Sequence, residues 1–207
     1  MTVIGLTGGI ASGKSTVAGY LQEFGAQIID ADRLGHRVYE PGTAGFQKVV
    51  NAFGHDLVTK DGTIDRRLLG GKVFGAPEQM ERLTDIVWPE IRKLAAAEIA
   101  ELKKKDRDAV IVLEAAVLLE AGWQDLVDEI WVTTVKVATA AARLMARNGL
   151  SESQAMARIQ SQMSAKERLE RADVKIDNSD SLEDLKRRVE RQWKLLQKRV
   201  AAPAAKR

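Results

Sequence analysis

Cysteine is absent from all 207 residues of the chain. That excludes disulfides and thiolate metal sites; it suits a reducing compartment, and the expected location is cytoplasmic. No stretch approaches the roughly eighteen consecutive apolar residues of a membrane span, and the first residues read as a strand rather than a secretory leader. Aromatic residues are scarce, at 5%, and the basic residues are interleaved with acidic ones. Nucleic acid, which would call for a continuous basic stripe with stacking rings, is therefore not an expected partner. The formal net charge is only +3, with an isoelectric point near 9.1, a mild excess that suits a polyanionic small substrate equally well. The tetrapeptide N-K-x-D, with which a regulatory GTPase reads its base, does not occur. The chain has no internal repeats and no linker long enough to separate two independent domains.

What is present points to a globular enzyme. Hydrophobic residues make up 45% and charged residues 29%, the balance of a packed domain rather than a disordered chain. The length allows one α/β domain with a small subdomain or lid. The stretch Val3–Thr16, VIGLTGGIASGKST, organises the rest. Val3–Leu6 has the length and apolar character of a buried parallel strand. Gly8, Gly9, Ile10, Ala11, Ser12, Gly13, Lys14 and Ser15 then fit G-x-x-x-x-G-K-[ST] at every fixed position, with Thr16 following. Glycines let the backbone curl until successive N–H groups point inward at phosphate oxygens, and the helix that follows adds its positive end. Lys14 is expected to reach the β- and γ-phosphates, and the Ser15 hydroxyl to ligate Mg²⁺. Because a strand precedes the motif and a helix follows it, the chain is expected to bind a nucleoside triphosphate.

Strands and helices alternate, which predicts a parallel sheet with helices on both faces. Ser15–Phe24 reads as the first helix, closed by Gly25. Ala26–Ile29 is a second strand ending on Asp30-Ala31-Asp32, on the rim where open α/β sheets hold their ligands. Either Asp also suits the N-cap of a helix beginning near Arg33. Gly35 to Leu69 is mostly helical, broken at Pro41-Gly42, Gly54 and Asp61-Gly62, and His36 there reads as structural or solvated. Asp65 is placed to cap a helix on which Arg66 and Arg67 point to different faces. The helical pattern over Pro77–Lys105 should kink or restart at Pro89. Ala109–Leu113 is a third strand, continuous and β-branched as a buried central strand should be. Glu114 directly after it is either the acid that holds Mg²⁺ through water or a rim carboxylate. Glu129–Thr133 is a fourth strand, and Lys136–Arg147 a helix with Arg143 and Arg147 on one face. Asn148-Gly149 ends that helix, and Ser151 with Gln154 makes a capping box for the next. Arg147 is expected on a mobile lid that supplies it to the transferring phosphate, with a solvated face as the alternative. Arg158, Lys166, Arg168 and Arg171 read as a solvated face. Val174–Ile176 is a last strand before the turn Asp177-Asn178-Ser179. Leu182–Val200 closes the domain, with Leu182, Leu185, Val189, Trp193 and Leu196 on one apolar stripe, and the tail Ala201–Arg207 is expected to be disordered.

In order along the chain, GLTGGIASGKS, IIDADRLGHRVYEPG, IDRRLLGGKVFG, VWPEIRKL, VLLEAGW, ARNGLS and VKIDNS resemble the dephospho-CoA kinase family from about Val3 to Val200. The phosphate-loop motif by itself identifies only a superfamily; IDAD-x-x-x-x-x-V-x-x-PG with IDRR is far more specific. Trp88-Pro89, where most bacterial members have His-Pro, and AAVLLEAGWQ most resemble the kinase half of eukaryotic-type bifunctional CoA synthases. The adenylyltransferase half of those proteins has no counterpart in these residues. The family often has proline before the Leu-Leu pair, where this chain has Val117, and Glu114 stands slightly out of register with the family's usual acid. The resemblance implies an α/β fold of the P-loop NTPase, nucleotide-kinase-like kind: a parallel sheet flanked by helices, with a helical acceptor-binding region and a helical lid. On that pattern residues 1–200 form a single kinase domain, with the acceptor-binding region over 33–105 and the lid over 143–172. The implied reaction transfers the γ-phosphate of ATP, with Mg²⁺, to the ribose 3′-hydroxyl of dephospho-CoA, giving coenzyme A. Asp32 matches the acceptor-side aspartate that takes the hydroxyl proton, and Arg66, ahead of Arg67, is expected to contact the acceptor. Asn178 lies where related kinases hold the adenine of ATP; Lys14, Ser15 with Mg²⁺, and Arg147 would neutralise charge. Another P-loop nucleoside or nucleotide kinase is the alternative. The expected partners are small molecules, without nucleic acid or membrane, and the expected state is a monomer.

Overall fold

The structure, a computed structural model, describes residues 1–201. They form β1 (Thr2–Gly8), α1 (Lys14–Glu23), β2 (Gln27–Asp30), α2 (Ala31–Val38), α3 (Ala44–Phe53), α4 (Arg66–Val73), α5 (Pro77–Lys105), β3 (Val110–Glu114), β4 (Glu129–Thr134), α6 (Val137–Asn148), α7 (Glu152–Gln160), α8 (Ala165–Glu170), β5 (Val174–Asp177) and α9 (Leu182–Ala201). The strands make one sheet in the order β2-β3-β1-β4-β5, with β1 parallel to β3 and β4, and β4 parallel to β5. The phosphate-loop strand is thus central, and its carboxyl end opens between those of β3 and β4. Of the expected tail, Ala201 is the last residue of α9 and the rest lies outside the described residues.

Alternation along the strands decides how the sheet is covered. Ile4 and Leu6, Val110 and Val112, Trp131, and Val174 and Ile176 all join one apolar cluster with Val17 and Leu21 of α1 and Leu185, Val189, Trp193 and Leu196 of α9. These are the period-two positions of one sheet face. Leu182, expected at the head of the α9 stripe, is instead 62% exposed; it is the first helical residue, and the stripe becomes buried one turn later, at Leu185. In β1, a Cβ on Gly5 would lie 2.7 Å from Leu118 Cδ2 and 3.1 Å from Val127 Cγ2. Glycine there lets the loop after β3 lie close against the sheet. All five residues of β3 are buried, as a central strand requires.

The chain divides into two compact units, one of Met1–Ile29 with the residues from Ile99 onward, the other of Asp30–Glu98. The first contains the phosphate loop and most of the sheet. The second is helical, and each of its short α-helices starts on a side-chain cap: Asp30 for α2, Thr43 for α3 and Asp65 for α4. Burying Leu34, Val49, Phe53, Leu69, Val87 and Ile91 gives this unit its own apolar interior. Of the kink or restart expected at Pro89, the restart does not occur; α5 runs through it. Proline leaves the carbonyl of Asp85 without its helical donor, but Asp85 and Pro89 are both exposed, so water can take that carbonyl. Among the described residues, no helix is long and apolar enough to cross a membrane.

Candidate active site

The turn between β1 and α1 has the backbone that its sequence demands. Ala11 and Gly13 are both left-handed, at φ 58° and 88°, an alternation that turns successive amides to one side. Ser12 N–H closes the turn on Gly9 O at 3.1 Å, and Thr16 and Val17 donate to Gly13 O at 3.0 and 3.1 Å to start α1. No side chain caps this helix and no acid stands in its first turn, which leaves the first amides to an anion. A Cβ on Gly13 would lie 2.0 Å from Asn178 Nδ2, so glycine is required by contact as well as by φ.

Asn178 is buried and clamps the loop: its Nδ2 donates to Ser12 O at 2.8 Å, and its backbone N–H to Thr134 O at 2.8 Å. Arg143 ties the same two segments together, donating from Nη1 to Ala11 O at 3.2 Å and from Nη2 to Asn178 O at 3.1 Å. Arg147, one turn further along α6, is exposed and donates from Nε to Asn148 Oδ1 at 3.1 Å. Of the two arginines read from the sequence, Arg143 is the one in contact with the loop backbone.

Glu114 lies against the phosphate loop. Paired in register with Leu6 of β1 and 6% exposed, it accepts from Lys14 Nζ and from Ser15 Oγ, both on Oε1 and both at 2.7 Å. A hydroxyl and a carboxylate, both hard oxygen donors, are thus brought to one point beside the phosphate amides. This set fits Mg²⁺, which takes few protein oxygens and fills its octahedron with water and substrate phosphates.

Arg168 corrects the expectation of a solvated face. It is 3% exposed, donates from Nη2 to Glu120 Oε1 at 2.8 Å, and its Nη1 would be 3.5 Å from a Cβ on Gly9. A cation is tolerated at such depth only with a partner, and Glu120, in the loop after β3, provides it. No periodicity in the sequence marks this pairing, since the two residues are 48 positions apart. Gln162, also unmarked, takes the N–H of Ile10 on Oε1 at 2.7 Å. Arg158, Lys166 and Arg171 are exposed, as expected. Between the loop, the end of β4 and the α7–α8 turn lies a cavity of about 340 Å³, lined by Ile10, Ser12, Thr133, Ile159 and Met163 among others. Ser12 Oγ, Thr133 Oγ1 and Arg168 Nε, on residues that line it, are buried without a protein hydrogen-bond partner.

In the helical unit the two aspartates divide. Asp30 Oδ1 accepts from the backbone N–H of Asp32 at 2.9 Å and of Arg33 at 3.2 Å, which makes it the cap of α2; Asp32 stands exposed in the first turn. Arg66, the first residue of α4, donates from Nη1 to His36 Nδ1 at 3.0 Å and lies 5.8 Å from the centre of the Tyr39 ring. Burial raises the Tyr39 hydroxyl above its ordinary pKa, with the nearby Arg66 charge acting the other way. Arg67 is exposed beside it.

A central β1 running into a phosphate loop, an acid from the adjacent strand on its Lys and Ser, and arginines from the helices after β4 define a P-loop kinase. A sequence model of the family described as dephospho-CoA kinase matches residues 2–184. The dephospho-CoA kinase of Geobacter sulfurreducens is 45% identical over 193 residues, 93% of this chain and 98% of that protein. That of Carboxydothermus hydrogenoformans is 48% identical over 189 residues, 91% of each. Among solved structures, the dephospho-CoA kinase from Campylobacter jejuni superposes with a TM-score of 0.72 at 27% identity, covering 95% of this chain and 97% of its own. A shikimate kinase from Acinetobacter baumannii, at 12% identity and a TM-score of 0.52 over 96% of this chain and 94% of its own, shares the fold alone. The chain belongs to the dephospho-CoA kinase family. These relatives are bacterial, which corrects the expected leaning toward eukaryotic-type bifunctional proteins. That leaning rested on Trp88 and a short loop segment, too few positions to outweigh identity spread along the chain.

Proposed function

We propose that this chain transfers the γ-phosphate of ATP to the ribose 3′-hydroxyl of dephospho-CoA, giving coenzyme A. The observation that carries the reading is Glu114 Oε1 shared by Lys14 and Ser15 at 2.7 Å each, in a member of this family. Phosphoryl transfer asks a protein for positioning and charge neutralisation more than for covalent help. The loop amides not already bonded within the turn, with the positive end of α1, receive phosphate oxygens, and Lys14 adds a point charge. Ser15 and Glu114 would hold Mg²⁺, which would supply positive charge to the phosphates. Asn178 and Arg143 set the loop against the end of β4 and form the wall for the purine. Arg147 is the lid arginine for the transferring phosphate, within a lid over 143–172.

On the acceptor side we assign Asp32 as the base that takes the 3′-hydroxyl proton and Arg66 as a contact to the acceptor's charged groups, within the region 33–105. The cap role falls to Asp30, which leaves the Asp32 carboxylate outside that duty. The reading includes small-molecule partners only, a monomer, and a cytoplasmic location. Incubating the chain with γ-labelled ATP, Mg²⁺ and a panel of acceptors tests it. Label should pass to dephospho-CoA and, at comparable concentrations, not to nucleosides or nucleoside monophosphates. Labelled nucleotides without labelled coenzyme A would make the chain another small-molecule kinase on the same scaffold.

A further inference from the structure

Ile10 is the joint at which the α7–α8 segment meets the phosphate loop. Its side chain packs with Leu150, Met156 and Ile159 against a small apolar cluster of Ala141, Leu144 and Ala155. Its backbone N–H goes to Gln162 Oε1, in the turn between α7 and α8, at 2.7 Å. On the inner side of that turn lies the cavity of about 340 Å³. Two polar contacts flank the gap: Gln162 on Ile10, and buried Arg168 on Glu120 beside Gly9.

The chemistry of the acceptor is informative. A carboxylate of the same length would receive the Ile10 N–H as well as a carboxamide does, and charge-assisted hydrogen bonds are the stronger kind. It would also set a negative charge against the residue next to the phosphate-facing amides. A carboxamide holds the amide without repelling a polyanion. We propose that Gln162 is a positioning residue for the phosphoryl transfer: its carbonyl fixes the Ile10 amide, and with it the leading edge of the phosphate loop, while its neutrality spares the triphosphate. The assignment rests on the proposed ATP-dependent transfer at this loop, and not on the identity of the acceptor.

Two substitutions separate the acceptor atom from the charge. Gln162→Met keeps the length and removes the acceptor; Gln162→Glu keeps the acceptor and adds charge. Amide hydrogen exchange at Ile10, read by NMR in the protein alone, should be slow in the parent and in Gln162→Glu. It should be about tenfold faster in Gln162→Met, the size of one lost hydrogen bond. In steady-state kinetics Gln162→Met should lower kcat by about tenfold with KM for ATP nearly unchanged, as expected for a contact that matters in the transition state. Gln162→Glu should do the reverse, raising KM for ATP by about tenfold, with the deficit shrinking at high salt. Unchanged Ile10 exchange in Gln162→Met overturns the proposal, and so does a common loss of kcat and KM in both variants. Should Gln162→Met not fold, Gln162→Glu decides alone: an unchanged KM for ATP refutes the role. Ile10 exchange and ATP kinetics can be read whichever hydroxyl accepts the phosphate, so a wrong acceptor would leave this test intact.

Discussion

At Glu114 a single oxygen, Oε1, accepts from both an ammonium and a hydroxyl. Side chains as enclosed as those of Lys14 and Glu114, 13% and 8% exposed, are costly to charge singly, so each makes the other tolerable. Lys14 and Ser15 were legible in the sequence because phosphate chemistry dictates their spacing. The contacts of Glu114 were not, since a carboxylate at a strand end suits a cap and a metal equally, and its place beside Lys14 and Ser15 follows from the register with Leu6. The aspartate pair had the same ambiguity, and hydrogen bonding assigns the cap to Asp30. A prediction follows from that division. Asp32→Asn keeps size and hydrogen bonding but removes a proton acceptor, and should lower kcat by about 10²–10⁴, the usual worth of a general base, with thermal stability nearly unchanged. Asp30→Ala should instead lower stability by about 1 kcal/mol, a lost cap. Thermal melts beside kcat for the two variants check this; normal turnover in Asp32→Asn would remove it from the chemistry.

At the scale of elements, the five strands and the two long helices lay within a few residues of where periodicity put them, because buried parallel strands are continuous apolar runs and α9 carries a regular stripe. Periodicity failed where tertiary partners decide. Pro89 suggested a kink or a restart, yet α5 continues through it without a restart. Arg168 looked like one more surface charge, yet α8 carries it to Glu120. In α6 the 3.6-residue period placed Arg143 and Arg147 on one face without saying which would reach the loop. Arg143 binds the carbonyls of Ala11 and Asn178, so Arg143→Ala should loosen the loop and weaken ATP binding, raising its Kd by about tenfold for the loss of two charged hydrogen bonds. Arg147→Ala should leave ATP binding within about twofold while lowering kcat by an order of magnitude or more. Calorimetric ATP titration set against turnover distinguishes them. An Arg147→Ala variant with unchanged kcat would return that residue to the solvated face.

At the scale of the whole molecule, charge governs how stability depends on pH. Asp56, Asp61 and Asp184 lie below the ordinary Asp value of 3.8, held there first by hydrogen bonds from Lys72, Thr59 and Ser181 respectively. Glu90, Glu101, Glu167 and Glu190 lie below the ordinary 4.5, through Lys48, Lys104, Ser164 and Lys194. A group with a lowered folded pKa stabilises the fold fully above its unfolded value and loses that contribution as pH falls through the folded one. Lys104 and Lys186 are raised above 10.5, through Glu101 and Glu23, and Tyr39 above 10.0 through burial. A raised group contributes fully below its unfolded value and loses its contribution as pH rises through the folded one. The two sets leave a plateau, so the melting temperature should be nearly flat from about pH 5 to about pH 9 and decline on both sides. Most of these carboxylates and lysines are exposed, so each pair is weak and screened. The acid limb should therefore be shallow, begin below about pH 4.5, and flatten further in molar salt, where the Debye length is about 3 Å. Melting curves across pH at low and high salt measure this directly. A steep loss between pH 5 and 8 would mean that a buried titrating group, and not these surface pairs, controls the fold.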